Sequence, residues 1–293
     1  MPLEKITSSR LPEFHRLWLS RYELPKTSQA VLSHLCDRDA GVSGLARICA
    51  QNPSVPAILG QAFDARSSRQ SSETRTTDFY VSQLGLQATR RLVLDHQLRA
   101  HLHVAVGRGA TKKLEFRWAE EFQSRVDTTA SRMPYADSAF IAGLLWDILE
   151  PASFSGRQKT WVDSRLDLTF ELLESAIVLA DQTGGFTAKR WLAACVSASC
   201  VVDVIAGLLD PSFIEQVRSW ERSGLPIALK RLLKRRHLGF STGAAGAWIC
   251  ERLDVLRPMA DSIRYLDAAR QLRGSAIEAR QMAELLGRAA EMG

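Results

Sequence analysis

No two of the five cysteines in this 293-residue chain are spaced C-x-x-C. Cys36, Cys49, Cys195, Cys200 and Cys250 are also odd in number, which argues against a disulfide framework and against a zinc held by thiolates. They read as core thiols. The histidines His15, His34, His96, His101, His103 and His237 include no H-E-x-x-H and no His-Asp dyad, so no hydrolase centre and no metal site is expected from them. His101 and His103, two apart, do not share a helix face. Glycine-rich phosphate loops are missing too. Gly107-Arg108-Gly109 lacks the further glycines or the Lys-Ser/Thr that would cradle a phosphate, and reads as a turn. No cofactor is expected. Strand signals are nearly absent, because no long alternating run of apolar and polar residues occurs. Charge of one sign is scarce as well: 38 basic residues face 32 acidic ones, a net charge of +6, so any basic surface must come from clustering.

One stretch imitates a membrane span. Trp191 to Leu209 carries a single charge, Asp203. Its small and polar residues dilute its hydrophobicity, and a mid-span Asp costs roughly 2.5–3.5 kcal/mol on insertion scales, so the stretch is expected to be a buried helix and not a span. The opening Met1 to Arg10 carries Glu4, Lys5 and Arg10 without a continuous apolar stretch, unlike a secretory signal. The expectation is a cytoplasmic protein.

What the chain does have is apolar residues at spacings of three and four, which predicts an all-α fold. Leu166, Phe170, Leu173 and Ile177 lie on one face of a helix, with Asp163 as its N-cap and the pair Gly184-Gly185 as its stop. Asn52-Pro53 and Asp210-Pro211 each set a capping side chain before a proline suited to the first helical turn, so helices are expected to begin there. Ser67 to Thr77 is polar, lacks periodicity and reads as an exposed loop. The organisation expected is an N-terminal helical module at 11–106 and a second module at 112–293, the latter interrupted by an inserted helical segment at about 151–237. No repeat at a fixed period is present.

Several segments then share a pattern. Leu24-Pro25 is followed by Val31-Leu32, by Leu45-Ala46-Arg47-Ile48, by Gln51-Asn52-Pro53 with Leu59 beyond, and by Val81-Ser82-Gln83-Leu84-Gly85 with Arg91 and Leu92. Further on stand Ala139 to Leu149, reading A-F-I-A-G-L-L-W-D-I-L, and Leu238 to Ala247, reading L-G-F-S-T-G-A-A-G-A. This series resembles the HDOD family, non-catalytic relatives of the HD phosphohydrolases. Phe63-Asp64-Ala65 departs from it, standing where the family has an A-N dipeptide. The resemblance implies a two-part all-helical fold whose second part is a degenerate HD-like module. In catalytic relatives a His-Asp dyad in the A-F-I-A-G-L-L segment binds a divalent metal that activates water. Here Trp146 stands at the histidine position, and an indole N–H has no lone pair to give a metal. Asp147 remains. Thr242 takes another histidine position, Ala244 a glutamate position, and Leu266-Asp267 stand where a His-His pair follows Ser262 to Tyr265. Trp118 lies where an earlier family histidine would be. A metal site is therefore expected to be lost, with the Trp146 and Trp118 rings filling its space, or with a ligand pocket kept beside Asp147.

The sharpest charge feature is Lys230, Arg231, Lys234, Arg235, Arg236 and His237, whose spacing puts several cations on neighbouring helix faces. It reads as a solvated basic helix end favoured by the helix dipole, or as an anion site for a cyclic dinucleotide or nucleic-acid phosphates. The resemblance implies a non-enzymatic signal-transduction or scaffolding module that meets a protein partner in a bacterial pathway.

Overall fold

The computed structural model describes residues 11–17, 19–37, 40–67, 75–106, 116–129, 136–149, 154, 156–183, 187–265 and 277–292. Among them there are helices and no strand, so the all-α expectation holds. The chain opens with α1 (Leu11–Leu17) and a 3-10 turn over Leu19–Tyr22. There follow α2 (Lys26–Leu35), α3 (Val42–Ala50), α4 (Ser54–Arg66), α5 (Thr77–Leu84) and α6 (Leu86–Val106). Next come α7 (Arg117–Thr129), α8 (Ala136–Leu149), α9 (Arg157–Thr183), α10 (Leu192–Leu209), α11 (Pro211–Arg222) and α12 (Ile227–Leu238). The last are α13 (Thr242–Arg252), α14 (Ala260–Arg264) and α15 (Ile277–Met292).

These helices form two compact units, one of residues 24–115 and one of residues 1–23 with 116–293. The first boundary therefore differs from that read off the sequence. Residues 11–23 do not open the smaller unit; they pack in the larger one, where Phe14 is fully buried with its ring centroid 5.2 Å from that of Phe240. Tyr22 is buried beside α8 and donates its hydroxyl to the Leu145 carbonyl at 3.1 Å.

In the smaller unit, Leu45, Ala46 and Cys49 turn inward from α3, and Val31 and Leu32 from α2. Asn52 starts α4 as its spacing before Pro53 predicts: its side-chain oxygen accepts from the Ser54 backbone N–H at 3.1 Å. Thr76 caps α5 in the same way, accepting from Phe79 N at 3.3 Å, so the loop expected over 67–77 ends at a defined cap. His34 is held between helices. Its Nε2–H donates to the Gly41 carbonyl at 3.0 Å, leaving Nδ1 to accept from the Arg90 guanidinium at 3.0 Å.

The larger unit is organised by α10, buried nearly all round. The Trp191 to Leu209 stretch is thus long and apolar enough to cross a membrane, yet most of it is covered by its own unit's helices. It packs against α8, α9 and α13. The segment 151–237, expected as an insertion upon the second module, therefore supplies that module's central helix. Gly207 lets the Trp161 indole lie directly on α10, since a side-chain carbon there would overlap it. The start of α9 differs from the sequence expectation. The helix begins at Arg157, after Gly156 in the left-handed region (φ 55°), and Asp163 lies inside it as an exposed residue. Leu166, Phe170, Leu173 and Ile177 do share its buried face, and the helix ends at Thr183; Gly184-Gly185 lies outside the described residues. Asp210 caps α11 as predicted, accepting from Ser212 N at 3.0 Å.

Burial lowers the His34 pKa, and the Arg90 charge adds to the effect against the opposing Gly41 hydrogen bond and Asp37 charge. A folded value below the ordinary imidazole value means that the unfolded chain binds the proton more readily. The stability His34 contributes is then present above about pH 6.5 and falls as the pH drops through that value, by at most about 1.4 kcal/mol per pH unit for one proton. Hydrogen exchange of the α2–α3 amides, corrected for intrinsic rates, is expected to quicken from pH 7.5 to 5.5. In His34→Gln, whose amide makes similar bonds without titrating, the change is expected to be smaller.

Candidate functional site

The position expected to hold a degenerate metal centre lies where α7 meets α8. The α8 segment from Ala139 to Leu149 is buried throughout, which suits its apolar run. Phe116, the residue before α7, has no side-chain oxygen to cap the helix, and its backbone sits in the left-handed region (φ 47°). The cap comes from elsewhere. Asp147, 2% exposed, accepts from Trp118 N through Oδ1 and from Ala119 N through Oδ2, both at 3.0 Å. Those are the second and third N–H groups of α7, the ones a capping side chain normally satisfies. The negative carboxylate also faces the positive end of the helix dipole. Gly143, one turn earlier on α8, permits this approach, since a methyl group there would overlap the Trp118 carbonyl and the Ala119 nitrogen.

The donor set at this place does not suit a metal. Asp147 commits both oxygens to backbone donors, and Trp146, 1% exposed, offers an indole N–H that has no acceptor among the described residues. Trp146 does fill apolar core, as expected. Trp118 does not: it is half-buried, with the Arg117 guanidinium 4.5 Å above its ring. Its backbone, and not its ring, is what the site uses. Thr242 begins α13 after the N-cap Ser241 and faces a different part of the unit. Leu266 and Asp267 lie outside the described residues. The cysteines are all buried, and burial pushes up the thiols of Cys49, Cys195, Cys200 and Cys250, Cys195 to about 12 and Cys49 to about 11, so these four persist as protonated core groups.

The basic cluster of α12 divides three ways. Arg235 and Arg236 are exposed. His237 turns to Asp210, its Nε2 lying 3.0 Å from Oδ2. Lys230, Arg231 and Lys234 line a cavity of about 540 Å³ bounded by α9, α10, α11, α12, α13 and α15. Inside it, Lys234 pairs with Asp203, the lone charge of α10. Arg165 makes two bonds to the Glu221 carboxylate, at 2.6 and 3.0 Å, and lies 4.4 Å from the Trp161 ring centroid. Burial alone would lower the Arg165 pKa, but the bonds to Glu221 and the charges of Asp203 and Glu221 outweigh it and raise the value.

Arg165, Asp203 and Glu221 escape the sequence reading as site residues. A signal for one of them was present. If the apolar run of α10 is buried, its only carboxylate must find a cation, because an unpaired buried charge is prohibitively costly. The sequence spacing identifies no such cation, since Lys234 is 31 residues away.

Removing the carboxylate in Asp147→Ala leaves two N–H groups of α7 without their acceptor, and is expected to lower unfolding stability by roughly 2–4 kcal/mol. Gly143→Ala, which pushes α7 from α8, is expected to cost about 3 kcal/mol. Urea denaturation of both variants checks these values.

No family model matches the chain, and no curated protein matches its sequence. A crystal structure of a Shewanella amazonensis SB2B protein, named for an inferred phosphohydrolase activity, is similar at 17% identity over 92% of this chain and 77% of its own, with a TM-score of 0.40. At that score the likeness carries no argument, and the site rests on the geometry of this chain alone.

Proposed function

We propose that this chain is a non-catalytic signal-transduction or scaffolding module that works by binding a protein partner in the cytoplasm. The observation that carries this reading is the engagement of both Asp147 oxygens by the N-terminus of α7. A carboxylate used in that way holds two helices together and has little left for a metal or an activated water. The Trp146 indole at the neighbouring position supplies no lone pair, which supports the same reading. The HDOD resemblance supplies the signalling context, at the level of family analogy. Leu229 and Leu232, one turn apart on α12, are exposed apolar side chains suited to a protein contact.

A second reading, an anion receptor for a cyclic dinucleotide or nucleic acid, is favoured by the convergence of Lys230, Arg231 and Lys234 on one cavity.

Purified protein supplied with manganese and assayed on cyclic dinucleotides is expected to hold no stoichiometric metal and to show no phosphodiesterase turnover. Trp146→His, which restores an imidazole beside Asp147, is expected to leave the metal content unchanged while Asp147 stays on α7. Bound metal together with turnover in the unaltered chain overturns the non-catalytic reading.

A further inference from the structure

The cavity under α12 is asymmetric in its chemistry. Lys234 meets Asp203 and His237 meets Asp210, so α12 runs in the same direction as α10. One turn before Lys234, Lys230 and Arg231 therefore stand near the level of Ser199 and Cys200. The α12 wall is cationic. At the other end, Trp161 bonds to the Asp203 carbonyl while Thr169, two turns on, lies against Cys200, so α9 and α10 are antiparallel and Leu172 lies near the level of Val196. With Leu286 and Ala289 of α15, these residues make an apolar end.

The cavity lining holds four cations and four carboxylates, but they are not evenly paired. Arg165 and Lys234 are matched by Glu221 and Asp203. The Lys230 ammonium makes no hydrogen bond or ion pair among the described residues, though the residue is half-buried against the cavity. The acids Asp167 and Glu171, also at its edge, are exposed and solvated. A half-buried ammonium facing a partly open cavity is a site for an anionic group, because a charge-assisted hydrogen bond there replaces lost water. A volume of about 540 Å³ falls within the roughly 300–1,000 Å³ range of small-molecule sites, which are mostly apolar with a few placed polar groups.

We propose that this cavity binds an amphipathic organic anion, with a carboxylate or phosphate head at Lys230 and an apolar body against Leu172, Val196, Leu286 and Ala289. The proposal rests on the receptor reading of α12 and replaces nucleic acid with a small ligand. Only Arg235 and Arg236 of the cluster are exposed, and duplex binding depends on many phosphate contacts. It is independent of whether Asp147 has lost a metal.

The test is calorimetric titration of the full chain with decanoate, decyl phosphate, decanol and inorganic phosphate. Decanoate or decyl phosphate is expected to bind at one saturable site, at least tenfold tighter than decanol or inorganic phosphate, and the tighter of the two identifies the head group. Lys230→Ala is expected to weaken that binding about tenfold, the size of one lost charged hydrogen bond. Ala289→Trp, which fills the apolar end, is expected to abolish it. Arg236→Ala, exposed on α12, is expected to leave it unchanged, and each variant is compared with the parent by circular dichroism and Tm. The proposal is overturned if neither anion binds, if decanol binds as tightly, or if a folded Lys230→Ala variant keeps full affinity. It is also overturned if a DNA duplex binds in place of both anions and is lost in Arg235→Glu with Arg236→Glu. Each of these outcomes leaves the metal and turnover assay of the non-catalytic reading untouched.

Discussion

The larger unit depends on one constraint: its central helix is buried on nearly every face and still carries a carboxylate. α10 contributes Val196, Val201, Val202, Val204 and Ile205 to the core, and within the same run Asp203 is only 7% exposed. Leaving such a charge uncompensated would cost about 3–5 kcal/mol. Lys234 answers it from α12, and Arg165 adds a second positive charge from α9 while its own fork closes on Glu221 of α11. A single acid thus links the placement of the helices around α10. The Trp161 indole reaches the Asp203 carbonyl over Gly207, bringing α9 to the same point. Because these pairs sit at the wall of a cavity and not within solid core, the groups that neutralise Asp203 also shape a polar recess.

A different economy governs α7 and α8. There a buried Asp faces the start of a helix that lacks its own cap, and the glycine one turn away brings the two backbones close enough for the bond. The residue types look like the remains of a metal site when read in order along the chain. Their contacts describe a helix clamp. Asp147 keeps a role because the positive end of α7 needs an acceptor, while Trp146 fills space and finds no acceptor for its N–H among the described residues.

The candidate site is partly legible in the sequence. The cations of α12 stood out as a run, but a run of six residues spread over a helix points in several directions, and only three of them enter the cavity. Asp203 is the only charge between Trp191 and Leu209, which in sequence marks an obstacle to membrane insertion and names no partner. Arg165 gave no sign at all. In sequence it is one more charge on a long helix, and its burial follows only from the placement of α11, 56 residues on.

By itself the sequence determined the helical class, the helix starts at Asn52 and Asp210, the burial of the α10 run and the lack of a ligand atom at Trp146. Each of these depends on chemistry within a turn or two of the chain, where periodicity, capping oxygens and donor inventories act locally. Tertiary structure alone decided that residues 11–23 join the larger unit, that 151–237 provides its centre, that Asp147 caps α7 and that half of the basic cluster faces a cavity. Those outcomes pair residues at least 28 positions apart, and 123 apart for Tyr22 and Leu145. Long-range pairing is set by which surfaces exclude water together and which buried charges must meet, and neither leaves a spacing in the sequence.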